Sequence, residues 1–99
     1  MSTTATPEGT VVTDSPQQSR YEIHADDELA RIEQYEVDGD VRVFVHTEIY
    51  PRYEGLGLAR TLVGAALDDL RRRGLREHPV CPYVVNFVSK HPEYQDLVA

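Results

Sequence analysis

Arg52-Tyr53-Glu54-Gly55-Leu56-Gly57-Leu58-Ala59 constrains the fold more than any other stretch of the chain. Upstream, residues 41–50 alternate and read as a strand; downstream, residues 58–73 repeat apolar side chains at helical spacing. Two glycines between a strand and a helix let the backbone turn tightly and approach a ligand without Cβ interference. The first N–H groups of the helix have no internal partners, and the helix dipole adds partial positive charge to them. Phosphate is the usual occupant of such a place, so the turn is expected to hold a pyrophosphate.

The rest of the chain is arranged around that turn. Residues 21–25 and 28–37 alternate as strands, the second imperfectly, with Leu29, Ile32, Tyr35 and Val37 as its apolar members. Asp38-Gly39-Asp40 is a hairpin turn, since Asp-Gly tolerates the positive φ of tight hairpins. In the third strand, Val41, Val43, Val45, Thr47 and Ile49 are expected on one face, and Arg42, Phe44, His46, Glu48 and Tyr50 on the other. The helix carries Ala59, Leu62, Val63, Ala66, Leu67 and Leu70 on one stripe and ends at Gly74. Residues 80–84 are β-rich and read as a fourth strand reached by a crossover; Pro82, which lacks an N–H, then marks an edge or a gap in pairing. A second short helix is expected over 86–91, followed by a tail that Tyr94, Leu97 and Val98 dock. The expected fold is α+β: a three-stranded antiparallel meander, a crossover helix, a splayed parallel fourth strand and a short C-terminal helix.

Composition narrows the function classes. A chain of 99 residues makes one domain, and residues 1–19, rich in Thr, Ser, Pro and Gln, are expected to be a disordered tail before a domain at 20–99. Seventeen acids against ten Lys plus Arg give a net charge of −7, which repels nucleic acid on average. The Arg71-Arg72-Arg73 triplet is expected as a solvated helix end whose cations suit the dipole. No run approaches the ~20 apolar residues of a membrane span, and the N-terminus lacks a secretory pattern. A single cysteine fits a reducing compartment, so a cytoplasmic monomer or weak dimer is expected. His24, His46, His78, His91 and Cys81 do not fall at metal-ligand spacing, and no metal is expected.

Four motifs appear in order: His46-Thr47-Glu48, the Arg-x-x-Gly-x-Gly of Arg52, Gly55 and Gly57, Cys81-Pro82-Tyr83-Val84, and His91-Pro92-Glu93-Tyr94. Together they resemble the minimal, roughly hundred-residue branch of the GCN5-related N-acetyltransferases, over about residues 20–99. The resemblance implies a reduced acetyltransferase fold with acetyl-CoA in the cleft between two splayed strands. It would lay the pantetheine arm along Glu48, Ile49 and Tyr50. The pyrophosphate would rest on the amides of Tyr53, Glu54, Gly55, Leu56, Gly57, Leu58 and Ala59, with Arg52 and Arg60 offsetting its charge; Asn86 and Lys90 are candidates farther along the cofactor. The chain has neither the helical pair between the first two strands nor the strand pair after the last helix that wall the acceptor site in larger relatives.

On that resemblance, Cys81 lies near the thioester end. It either packs as a small buried hydrophobe or acts as a nucleophile that carries acetyl covalently, activated by His46 or His78. In direct transfer, Glu48 or His46 would deprotonate the amine and Tyr83 or Tyr94 would protonate the departing thiolate; the plain alternatives are a solvated strand residue, a core histidine and core aromatics. The leading expectation is an acetyltransferase acting from acetyl-CoA on a primary amine. A CoA-binding module without turnover, or an interaction domain, would explain the same residues.

Overall fold

A computed structural model describes residues 3–5, 9–49 and 57–99. Its six strands lie in one sheet in chain order: β1 (Thr3–Ala5), β2 (Thr10–Ser15), β3 (Arg20–Ala25), β4 (Glu28–Asp38), β5 (Val41–Ile49) and β6 (Arg76–Pro79). Neighbours are antiparallel through β5, whereas β5 and β6 run parallel. That parallel pair requires a crossover, supplied by helix α1 (Leu58–Arg72). Helix α2 (Pro82–Lys90) and a 3-10 segment (Pro92–Leu97) complete the chain.

The expected meander is present, built by turn chemistry. Asp26 and Asp27 sit at φ 50° and 68° between β3 and β4, and Gly39 at φ 61° closes β4 onto β5. α1 buries Leu58, Leu62, Val63, Ala66, Leu67 and Leu70 in one cluster with Tyr21, Ile23, Tyr35 and Phe44 of the sheet. Tyr21, Tyr35 and Phe44 hold their ring centroids 5.6–6.3 Å apart. Gly74, at φ 69°, ends α1 as expected, with the Leu75 N–H donating back to the Leu70 carbonyl at 2.9 Å. The tail docks through buried Leu97 and a bond from the Ala99 N–H to the Glu77 carbonyl.

Three expectations are corrected. Residues 1–19 are not simply a disordered tail, because Thr10–Ser15 pairs along the whole of β3. Average composition hid the period-two pattern that puts Val12 and Asp14 inward, both buried. Asp14 accepts from the Tyr35 hydroxyl at 2.7 Å and from Arg73 at 3.0 Å. Strict alternation along β5 fails as well. Gln34 pairs with His46 but Tyr35 pairs with Phe44, so Val45 is an extra, bulged residue. The bulge puts Phe44 and Thr47 together on the helix side and leaves His46 and Glu48 facing solvent.

The third correction concerns residues 80–84, which are not a strand. Parallel pairing with β5 ends at Phe44↔Pro79, and Pro82 opens α2 at its first position. There the missing N–H costs nothing and the fixed φ is already helical. Val84, Phe87 and Val88 follow at helical spacing, all buried, so the β-rich run is the start of an amphipathic helix. α2 thus covers the helix expected over 86–91 but begins earlier.

Candidate functional site

β5 and β6 part company at Phe44. Its carbonyl accepts from both the Val80 and the Cys81 N–H, at 2.9 and 2.8 Å, and beyond it the chain turns away into α2. β5 runs on to Ile49 without β6, so a wedge opens between its edge and the start of α2. The expected parallel pair is therefore present, but β6 is paired along its whole length and the chain leaves β5 by turning into α2, not as a splayed strand.

A chain of polar side chains occupies the apex of this wedge. Cys81, buried, is the N-cap residue of α2, and its Sγ lies 2.9 Å from Thr47 Oγ1. Thr47 Oγ1 in turn donates to Glu33 Oε1. Glu33 points inward from β4 and is fully buried, and its Oε2 has no hydrogen-bond partner among the described residues. Burial pushes the Glu33 carboxyl up to about 8; the Thr47 hydrogen bond and Arg31 pull against that shift, and Glu77 adds to it. Glu77 of β6 is also fully buried, with neither carboxyl oxygen hydrogen-bonded among the described residues, and burial raises it to about 7.

Tyr83, the second residue of α2, is half-buried against Phe87 at 6.5 Å between centroids. Burial raises its hydroxyl, opposed by the charges of Arg31 and Arg60, so these cations lie on the same side of the molecule.

Arg60 belongs to the start of α1. Gly57 caps that helix at φ 73°, without a side-chain cap bond, and the first turn holds no acidic residue. Instead the Arg60 guanidinium comes within 3.5 Å of the place a Cβ on Gly57 would occupy. A cation at the positive end of a helix is unfavourable by itself and becomes favourable once an anion sits between them.

The sequence candidates divide accordingly. Cys81 and Tyr83 line the wedge; Gly57, Leu58, Ala59 and Arg60 form the helix start, with Leu58 and Ala59 burying their side chains and Arg60 exposed. Ile49 ends β5, whereas Tyr50, Arg52, Tyr53, Glu54, Gly55 and Leu56 lie outside the described residues. Asn86 and Lys90 are exposed on α2. His46 and Glu48 pair with each other, Nε2 to Oε2 at 3.5 Å, on the face opposite Thr47 and Cys81. His78 is exposed on β6, and the Tyr94 hydroxyl donates to Asp68 on α1.

Glu33 and Glu77 were missed, and Thr47 was read only as part of a motif. One signal was available for Glu33. The alternation over 28–37 was imperfect because β4 is bulged near Ala30 and because Glu33 fills an inward slot, between Arg31 and Tyr35, that an apolar residue would ordinarily take.

Among the described residues no helix is long and apolar enough to cross a membrane, and no group of three or more His, Cys, Asp or Glu side chains is gathered for a metal. The sequence model of the GCN5-related N-acetyl-transferase family matches residues 20–97. Protein NATD1 of Bos taurus is 43% identical over 52 residues, covering 52% of this chain and 46% of that protein. The Homo sapiens protein of the same name is 38% identical over 52 residues, covering 52% and 46%. The match thus spans about half the length of these relatives. A GCN5-like protein of Staphylococcus aureus, solved by NMR, has a TM-score of 0.67 at 19% identity, covering 89% of this chain and 86% of its own. The ribosomal-protein-S18-alanine N-acetyltransferase of Escherichia coli has a TM-score of 0.57 at 19% identity, covering 67% and 43%. These two likenesses concern the fold.

Proposed function

The chain belongs to the GCN5-related N-acetyltransferase family, and from that premise we propose that it moves an acetyl group from acetyl-CoA to a primary amine at the wedge between β5 and α2. The carrying observation is the apex itself, where a buried thiol stands at a helix N-terminus within 2.9 Å of a hydroxyl, beside the part of β5 that runs past its pairing with β6.

The residues present fit the cofactor. The β5 edge over 45–49 offers backbone groups for a pantetheine arm. Gly57, with its uncapped helix start and Arg60 set against the dipole, suits a pyrophosphate. Arg52, Tyr53, Glu54, Gly55 and Leu56 would continue that cradle, and Asn86 and Lys90 would lie farther along the same ligand. Bound acetyl-CoA would supply an activated thioester. Cys81 Sγ takes the acetyl group, and the amine receives it from there. Pro82 has no N–H, but the Tyr83 and Val84 amides stand in the first turn of α2, and the Cys81 side chain makes no cap bond to them. They are the donors for the oxyanion that forms at the acetyl carbonyl. Tyr83 is placed to return a proton to the departing thiolate. His46 and Glu48, on the solvent face, do not join this route, which favours the covalent path over direct deprotonation of the amine.

A second reading is supported by the turn at Asp26 and Asp27. Two residues between β3 and β4 leave no insertion there to wall an acceptor, as suits a module that binds acetyl-CoA without turnover. Calorimetric titration with CoA tests both, and no binding at millimolar ligand overturns both. Binding accompanied by N-acetylation within a panel of polyamines and lysine peptides supports transfer; binding with no acetylated amine supports the module.

A further inference from the structure

We propose that Glu33 is a positioning residue that takes up the Cys81 proton through the Thr47 hydroxyl, so that Glu33, Thr47 and Cys81 act as one proton relay. This rests on the reading of Cys81 as the acetyl carrier and assigns the group that makes it one.

The geometry is specific. Thr47 Oγ1 bridges Cys81 Sγ, 2.9 Å away, and Glu33 Oε1, whereas the histidines named as activators from sequence are engaged or exposed elsewhere. A hydroxyl both donates and accepts, so the chain holds its protons in either of two arrangements. In one, the thiol donates to Thr47 and Thr47 to the Glu33 carboxylate. In the other, the Glu33 carboxylic acid donates to Thr47 and Thr47 to a thiolate. Passing between them moves one proton from sulfur to carboxyl and changes no net charge, which suits a buried site where a new charge would be costly. Burial raises the Glu33 carboxyl to about 8, which makes it a stronger proton acceptor than a solvated carboxylate. Oε2, without a hydrogen-bond partner among the described residues, is the far end of the relay.

The step balances. Cys81 gives its proton to Thr47 as Thr47 gives its own to Glu33. Sγ forms a bond to the acetyl carbon, and the bond from that carbon to the CoA sulfur breaks, releasing CoA thiolate. When the amine attacks acetyl-Cys81, the carbon–Sγ bond breaks and the proton returns from Glu33 to sulfur. CoA thiolate takes a proton from the Tyr83 hydroxyl, and the extra proton that the amine sheds to solvent is matched by the one that solvent returns to Tyr83.

The polar groups that act on Glu33 are Thr47 on β5, Arg31 on its own strand and Glu77 on β6, while Cys81 at α2 reaches it through Thr47. Glu77 is therefore the rival titrating group.

Two readouts on the full chain decide the matter: acetyl-Cys81 formation from acetyl-CoA by intact mass, and alkylation of the single cysteine by iodoacetamide, each followed against pH. Wild type is expected to gain reactivity through an inflection near about 8. Glu33→Gln, which preserves shape, removes that inflection and slows both reactions by about 100-fold near neutrality. Thr47→Val does the same, Thr47→Ser restores reactivity above the valine level, and Glu77→Gln moves the inflection without removing it. CoA affinity, measured alongside, is unchanged in Glu33→Gln. A Glu33→Gln protein with the wild-type pH profile overturns the relay, as does an inflection that vanishes only in Glu77→Gln. Wild-type Cys81 that resists both reagents at every pH overturns it too. If alkylation follows the relay but acetyl-CoA leaves no acetyl on Cys81, the relay stands and the carrier reading fails.

Discussion

Two buried polar clusters lie under the same sheet and are finished very differently. At the C-terminal end of α1, Tyr21 donates to Asp69 at 2.6 Å and Tyr35 to Asp14 at 2.7 Å, and Arg73 reaches both carboxylates at 3.0 Å. Arg72 adds a bond to the other oxygen of Asp69 at 2.9 Å. Both acids have their charge matched by a cation and a phenol. At the wedge, among the described residues, Glu33 has one oxygen paired and Glu77 has neither. A satisfied buried network ties elements together; an unsatisfied one spends stability to keep groups poised. The first cluster holds β2, β3, β4 and α1 in register, and the second sits where β5 and β6 separate.

The sharpest way to break this comparison is Asp69→Ala. Removing this carboxylate leaves the buried Tyr21 hydroxyl without its acceptor, while Arg73 stays half-exposed and keeps Asp14, so a loss of about 1–3 kcal/mol in urea unfolding is expected. A change below about 1 kcal/mol would show that the network is not structural.

Next comes the pH dependence of stability. Glu33 and Glu77 have folded values, about 8 and about 7, above the ordinary carboxyl value. The native state therefore binds more protons than the unfolded chain between roughly pH 4.5 and 8, and stability falls as pH rises through that window. Unfolding curves from pH 5 to 8 should record a decline on the order of a few kcal/mol. Glu77→Gln flattens the decline, and a flat wild-type curve would remove the contrast with the satisfied cluster.

Arg60→Ala is expected to weaken CoA binding by about 10- to 100-fold, as for loss of a charged hydrogen bond of about 1.5–3 kcal/mol, while leaving the urea midpoint nearly unchanged. Calorimetry beside unfolding separates the two effects. The smallest effect belongs to His46→Ala. That pair, at 3.5 Å with both partners about half exposed, should shift stability by less than about 0.5 kcal/mol and CoA affinity not measurably.

Legibility varied with the range of the interaction that decides each feature. The β3–β4–β5 meander, α1 and its end at Gly74 follow from local rules, namely period-two alternation, αL-tolerant turn residues and a helical apolar stripe. β2 was lost because Thr10, Val12 and Asp14 look polar on average, and Asp14 is buried only because Arg73 and Tyr35 come from elsewhere to meet it. Residues 80–84 were misread because a short apolar run suits strand and helix alike. Pro82 at the first position of α2 settles it.

The sequence alone determined the β3–β4–β5–α1 succession, the place of the glycine turn ahead of α1 and the family over residues 20–97. Only the tertiary structure decided what surrounds Cys81. A one-residue bulge at Val45 turned His46 and Glu48 outward and Thr47 inward. Folding of β4 against β5 then brought Glu33 to Thr47, fourteen residues away in the chain. Bulges and cross-strand registers arise from pairings between distant segments, and no local pattern records which side of a sheet a side chain will reach after one of them. The glycine turn raised the expectation of an anion site from sequence; the contacts of Thr47 with Cys81 and Glu33 exist only in the fold.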